Sequence, residues 1–365
     1  MHERNLYVGL MSGTSLDGVD AVLVDLGAHP LQVLGAVHHP FDRSLRESLL
    51  ALNVPGSNEV DRVARLGNEL ARRYATAVLE VLRHAGLGAS AVMAVGCHGQ
   101  TIRHRPDLGY TIQIGNPALL AELCGIRVVA DLRSRDVAAG GQGAPLVPAF
   151  HAEVFAYRDE DRAVLNLGGI ANLTSLPRRG GVSGFDCGPG NCLLDLWTLR
   201  HLGKPFDDGG QWAKGGRPIP DLLKRLLDEP YFHANPPKST GRDLFNATWL
   251  DARLTPGYDP QAVQATLLEL TARAIADSCV RHCGRIDRLI VCGGGAHNAP
   301  LLKRTAELLA PATVETSDHR GLDPQFVEAA AFAWFAKCTI EGKAIDLSAV
   351  TGSRGPRILG AVYPA

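Results

Sequence analysis

Aromatic residues make up only 6% of this 365-residue chain, and its eight cysteines sit at spacings that match no zinc knuckle. Cysteines this sparse exclude a disulfide scaffold, and reduced thiols in a cytoplasmic protein are expected. Charge of one sign is missing as well: 37 Lys and Arg face 38 Asp and Glu, for a formal net charge of −1. That balance argues against a general partner in nucleic acid or an anionic membrane, because both need a basic surface. No apolar run approaches the roughly 18 residues of a membrane span. No signal-type apolar region follows residues 1–5. The common nucleotide and hydrolase strings are also missing: there is no GxxxxGK[ST], no GxGxxG after a strand, no HExxH and no GxSxG.

What the chain has in excess is glycine, 40 residues against a usual share of about 7%. The glycines are not periodic, which excludes collagen, and they gather in a few short runs. Length predicts roughly two domains. Hydrophobic residues at 45% and charged residues at 21% are ordinary for a globular chain. Residues 5–10 and 19–26 read as strands joined by a Gly/Ser/Asp turn. Residues 59–85 carry a helical pattern. Residues 91–96 and 126–130 are short buried strands. Residues 138–148 read as a Gly/Ala/Pro-rich loop or hinge. Residues 163–167 and 173–176 repeat the strand–turn–strand pattern of the N-terminus, as an internal duplication would. Residues 204–260 read as loops with short helices, and residues 261–282 as an amphipathic helix. A strand at 289–292, a Gly-rich turn and helices at 300–309 and 326–336 follow. Strands alternating with helices predict α/β architecture.

The glycine runs carry the chemistry. Ser12, Gly13, Thr14, Ser15, Leu16, Asp17, Gly18, Val19 and Asp20 span a hairpin whose N–H groups and hydroxyls suit a phosphate. Asp17 and Asp20 are the candidates for Mg²⁺, which prefers carboxylate and water oxygens. Asn166, Gly168, Gly169 and Asn172 form a second turn of that kind. Gly293, Gly294, Gly295 and Asn298 follow a strand and precede a helix, where an adenosine could lie flat on the backbone. Ordinary turns are the alternative at each place, and the three together favour a nucleotide. Asp186 stands among small residues just before a helical run, a position that suits a general base, with the helix N-terminus expected to keep it ionised; an N-cap or turn aspartate is the alternative. His98, Gln100, Asn116, Asp131, Arg133 and Asp136 fall at strand ends, where open α/β sheets present side chains to ligands. Residues 237–242 could bind an anion or be a solvated loop. Glu328, alone on an apolar helix, is either a ligand contact or a buried, paired acid.

Taken in order, the strings at 12–20, 96–101, 113–116, 131–133, 138–148, 166–174, 184–191, 236–242, 292–298, 327–334 and 359–364 resemble the anhydro-N-acetylmuramic acid kinase family. The resemblance covers essentially the whole chain and is carried by the ordered set rather than by any one string. It implies the two-lobed sugar kinase/Hsp70/actin-like, duplicated ribonuclease H-like α/β fold, with ATP and Mg²⁺ in a cleft between lobes. We place the first lobe at residues 1–133 with 343–365, carrying a phosphate hairpin and part of the sugar site, and the second at residues 134–342, carrying the second hairpin, the catalytic acid and the adenosine turn; the return of the C-terminus to the first lobe is what the fold implies. The resemblance implies an ATP-dependent kinase of bacterial peptidoglycan recycling. Water opens the 1,6-anhydro ring of anhydro-N-acetylmuramic acid while O6 takes the γ-phosphoryl group, giving N-acetylmuramic acid 6-phosphate. It places the catalytic aspartate on Asp186, the sugar contacts among His98, Gln100, Asn116, Asp131, Arg133, Asp136 and Glu328, and a homodimer among the expected partners.

Arg133, Lys238 and Arg242 are the cations available for the lactyl carboxylate. Cys187, Cys124 and Leu132 depart from the Thr, Thr and Phe more usual in the family, and Cys187 raises the question of a missing hydroxyl beside Asp186. Cys97, Cys187 and Cys292, near the expected site, would be sensitive to oxidation only if reactive. Two other functions fit the fold: a plain sugar kinase acting on an existing hydroxyl, and an ATP-driven switch or chaperone module. The polar strand ends favour an enzyme.

Overall fold

The computed structural model describes residues 5–241 and 243–365. The chain divides into two compact units, Met1–Phe150 with Phe326–Ala365, and His151–Gln325.

In the first unit the apolar runs around the N-terminal turn form β1 (Leu6–Met11) and β2 (Gly18–Asp25), an antiparallel pair. Next in the chain come β3 (Gln32–Pro40), β4 (Val92–Cys97), β5 (Gln100–Arg105), β6 (Tyr110–Ile114) and β7 (Val128–Ala130). The second unit supplies β8 (Arg162–Leu167), β9 (Ile170–Leu176), β10 (Ser183–Pro189), β11 (Arg288–Cys292) and β12 (Thr313–Thr316), and β13 (Ala361–Tyr363) returns to the first.

The two main sheets share one topology. The first has the order β13-β7-β4-β1-β2-β3, and the second β10-β9-β8-β11-β12. In each, the first strand of the unit lies in the middle. Two antiparallel strands follow on one side of it (β2 and β3; β9 and β10), and two parallel strands lie on the other (β4 and β7; β11 and β12). This is the ribonuclease H-like sheet, present twice, as in the sugar kinase/Hsp70/actin class. β5 and β6 pair as a separate hairpin.

Each unit buries its own core. The amphipathic helix Glu59–His84 lays Leu70, Tyr74, Val78 and Val81 on the first core. The helix Pro260–Ser278 packs into the second. It is buried nearly all round rather than amphipathic, because helix Ala299–Leu309 covers the side a surface helix would leave open.

The division between units falls at 150/151 and 325/326 rather than at the expected 133/134 and 342/343. Helix Val327–Ile340 is the reason. It is apolar almost all round and lies directly on β1 and β4. It approaches so closely that a methyl on Gly9 would overlap the Ala329 carbonyl, and one on Gly96 the Phe332 carbonyl. Among the described residues no helix is long and apolar enough to cross a membrane.

The contact fixes a measurable cost. Gly9→Ala and Gly96→Ala must push the helix off the sheet, and each is expected to destabilise the chain by about 3 kcal/mol in urea unfolding. Gly88→Ala, at a site with open space around it, is the control and is expected to change little.

Candidate active site

The second unit builds its polar centre from strand alternation. Leu165, Leu173, Phe185 and Cys187 point into the core. Their neighbours Asn166, Asn172 and Asp186 therefore share the other face. The register sets them in a single row, Asn166 opposite Asn172 on β8 and β9, and Asn172 opposite Asp186 on β9 and β10. Two asparagines of one string and the aspartate of the next thus meet on one line across the sheet.

Asp186 is neither at a helix N-terminus nor in a turn. It lies inside β10, an edge strand, at a register shift before Gly188. The exposed side of that edge is covered by the 236–240 segment. Asp186 N–H donates to the Lys238 carbonyl at 3.2 Å, and Thr240 N–H donates to Asp186 Oδ2 at 2.9 Å. Tyr231 Oη donates to the Asp186 carbonyl at 2.8 Å, and Lys238 Nζ lies 4.8 Å from the Tyr231 ring centre. Burial raises the Asp186 carboxyl to about 6, against the lowering influence of the Thr240 N–H and the Lys238 charge. The expectation that a helix terminus keeps it ionised is corrected: desolvation outweighs the nearby donors.

Sequence reasoning offered residues 237–242 only as an anion loop, and it missed Tyr231 altogether. No spacing links either to Asp186. Arg242 lies outside the described residues.

The turn after β8 is fastened to the helix Cys192–Leu202. The Gly168 carbonyl accepts from Asn191 N–H, and the Gly169 carbonyl from Gly190 and Cys192 N–H. After β11, Gly293 packs against Asn166 and Leu167, while Gly294 faces open space. Asn298 caps helix Ala299–Leu309, its Oδ1 accepting from Leu301 N–H at 3.2 Å.

The first unit has its own polar network. In the 12–20 string, Leu16 and Val19 are core residues, so they offer a ligand only backbone. Ser12 Oγ is hydrogen-bonded to Tyr74 Oη at 2.7 Å and donates to the Gly99 carbonyl at 3.1 Å. Thr14, Ser15 and Asp17 remain exposed, with Ser15 Oγ donating to Asp17 Oδ1 at 2.8 Å. Asp20 is paired with His38 at 2.8 Å, and that bond raises the imidazole pKa. Asp17 is therefore the better placed of the two carboxylates for Mg²⁺, with oxygen donors suited to a largely water-bound ion. Among the described residues no cluster of three or more His, Cys, Asp or Glu could hold a metal.

His98 is buried, and its Nδ1 lies 3.2 Å from the Ser12 carbonyl. Arg133 Nε and Nη2 reach His98 Nε2 at 3.1 and 2.9 Å, and Nη1 donates to the Gly143 carbonyl at 2.8 Å. Burial, with Arg133 beside it, pushes His98 down to about 3, so the ring is neutral. Its Nδ1 then carries the hydrogen toward Ser12, and Nε2 accepts from the guanidinium. Glu328 lies close enough to raise the Arg133 pKa, against the burial that lowers it to about 10. Gln100 Nε2 donates to the Gly13 carbonyl at 3.0 Å.

A cavity of about 200 Å³ adjoins this network, lined by Tyr74, His98, Gln113, Asn116, Asp131 and Tyr363 among others. Asp131 holds a left-handed backbone there (φ 54°), a conformation uncommon outside glycine. Asn116 caps helix Pro117–Cys124 and donates to Asn68. Asp136 is different. Its Oδ2 accepts from Gly143 N–H at 2.7 Å and its Oδ1 from Thr351 Oγ1 at 2.8 Å, so its carboxylate anchors the 139–147 loop.

The question raised by Cys187 is answered by its direction. Its side chain belongs to the core and sits against Ser278, so a hydroxyl there would not adjoin the Asp186 carboxylate. Burial pushes Cys97 and Cys187 up to about 12, which leaves their thiols protonated and unreactive.

A family model described as anhydro-N-acetylmuramic acid kinase matches residues 5–365. The chain belongs to the anhydro-N-acetylmuramic acid kinase family. The anhydro-N-acetylmuramic acid kinase of Nitrosomonas europaea is 53% identical over 361 residues, covering 98% of this chain and 99% of the relative. That of Variovorax paradoxus is 54% identical over 371 residues, covering 99% of each. That of Burkholderia orbicola is 54% identical over 368 residues, covering 98% of this chain and 96% of the relative. Membership spans both units and every string discussed above.

The surroundings of Asp186 predict a pH response. As the general base proposed below, Asp186 would have to be ionised, and this carboxyl protonates below about 6. Kinase kcat/KM should therefore fall as pH drops through that value, about tenfold per unit. Lys238→Met removes a charge that favours the ionised form, so the acid limb should move to higher pH. A limb that stays in place would remove Lys238 from the site's electrostatics.

Proposed function

We propose that the chain uses ATP to phosphorylate anhydro-N-acetylmuramic acid, opening its 1,6-anhydro ring with water and releasing N-acetylmuramic acid 6-phosphate. This is a step of peptidoglycan recycling, and it would take place in the cytoplasm. The observation that carries the reading is a single carboxylate, Asp186, held on one oxygen by a backbone N–H and raised by burial to about 6. A general base works best with a pKa near the operating pH.

In this reading Asp186 takes a proton from the attacking water as the water oxygen bonds to C1. The C1–O6 bond breaks, its electron pair goes to O6, and O6 bonds to the γ-phosphorus as ADP departs. Little covalent chemistry is asked of the protein beyond that proton. Phosphoryl transfer depends mostly on positioning and on compensation of charge.

The turns at 12–18 and 168–172 are proposed to hold the phosphates through backbone N–H groups, Thr14 and Ser15. Gly294, which faces open space, is proposed to lie under the adenosine. Mg²⁺, held through Asp17 and the phosphates, would neutralise charge on the transferring group. The cavity beside His98, Asn116 and Asp131, with Arg133 and Glu328 nearby, is proposed for the sugar. Arg133 is the cation we assign to the lactyl carboxylate. Its guanidinium is partly buried and already held on His98 and Gly143. A homodimer is the proposed assembly.

A coupled assay of ADP release tests the reading. Anhydro-N-acetylmuramic acid should drive ATP consumption, while the same sugar without the bridge should not, and equal rates with both would indicate an ordinary sugar kinase. Asp186→Asn should lower turnover by at least about 1000-fold, within the range assigned to general-base groups, with ATP affinity by calorimetry essentially unchanged.

A further inference from the structure

We propose that the Thr240 hydroxyl, together with the Asp186 carboxylate, holds the water that attacks the anomeric carbon, which makes Thr240 a further catalytic residue; the inference rests on the ring-opening reading above. Two independent observations meet at this residue. Its backbone N–H donates to Asp186 Oδ2 at 2.9 Å, which fixes residue 240 against the base. Its Oγ1 is buried and has no hydrogen-bond partner among the described residues. Of the buried side-chain atoms in that condition, only this one belongs to a residue bonded to Asp186.

Buried hydroxyls are rarely left without a partner, so one this close to a carboxylate marks a place for a small polar molecule. Water is the reactant of the right size. It would give one hydrogen to Asp186 and the other to Thr240 Oγ1, leaving a lone pair for C1. At the reacting step the O–H bond facing Asp186 breaks and its proton passes to the carboxylate. The water oxygen bonds to C1 and the C1–O6 pair moves to O6. Thr240 keeps its own proton throughout and accepts a hydrogen bond only. The reading also gives the 236–240 segment a task beyond covering the edge of β10.

Thr240→Val keeps the size of the side chain and the backbone N–H but removes the hydroxyl, and Thr240→Ser restores it. Thr240→Val is expected to lower kcat on the order of 100-fold, the scale of a mispositioned reactant. KM for ATP and for the sugar should stay within about threefold, the pattern of an interaction made only in the transition state. Thr240→Ser should remain within about threefold of the unmodified enzyme in kcat. The acid limb should stay near pH 6 in both variants, because the N–H on Asp186 is retained. Full activity of Thr240→Val beside an active unmodified enzyme would overturn the inference alone. So would equal losses in the two variants, or a loss confined to KM, since either marks a role in shaping the loop. An unmodified enzyme that phosphorylates only the sugar without the bridge would sink the ring-opening reading and this inference with it.

Discussion

The chemistry of the second unit depends on one imbalance, a carboxylate whose burial is only partly offset by its partners. Asp186 has a backbone N–H on one oxygen and a nearby ammonium group, and burial still raises its pKa to about 6. Stronger pairing would drop the pKa and leave a poor base. Deeper burial would raise it further and leave the group protonated in neutral solution. The polar face of β8, β9 and β10 and the 236–240 segment hold it between those outcomes. Lys238 contributes through a lone charge set over an aromatic ring rather than a direct ion pair. Its own pKa is lowered by the burial it shares with the acid.

The duplication makes this arrangement intelligible. In the first unit a comparable row at the end of β1, β2 and β3 is Met11, Asp20 and His38. There the acid stands on the second strand with an imidazole beside it, and the two satisfy each other. In the second unit the acid stands on the third strand opposite an amide, where no cation pairs with it directly among the described residues. Similar sheets therefore hold a satisfied acid–imidazole pair in one unit and, in the other, a carboxylate with a raised pKa that fits the base we propose. The edge position of β10 adds the freedom to recruit a loop that β9, paired on both sides, could not admit.

How much of this could be read from sequence follows from local chemistry. The strand–turn–strand units at 6–25 and 162–176 were legible because apolar runs flank Gly, Ser and Asn, and such turns are decided within a few residues. The strand bearing Asp186 was not, because two glycines and a proline in seven residues read as a loop. An edge strand with a register shift tolerates them where a central strand would not. Asp186 was found as a residue while its setting was misjudged. Asn298, Asn116 and Asp136 show a second limit. A short polar side chain at an element boundary has the same signature whether it caps a helix, anchors a loop or meets a ligand. Asn298 is a cap and Asp136 an anchor, while Asn116 both caps a helix and lines the cavity.

His98 illustrates how a residue that reads as ambiguous becomes specific once its partners are known. A histidine between glycines is easily a turn residue, and nothing in the string reveals that Arg133 and Ser12 converge on it. Buried and neutral, it donates to the turn after β1 and accepts from a guanidinium that also grips Gly143. A protonated ring could not accept that bond, so the guanidinium and the burial together enforce the neutral form. The turn after β1, the cavity and the 139–147 loop are in this way tied through one imidazole. Movement at any of the three has to be met by the others or break a buried bond. That coupling lies within the first unit and needs no nucleotide to establish it, which is the preorganisation the proposed positioning of sugar and phosphate calls for.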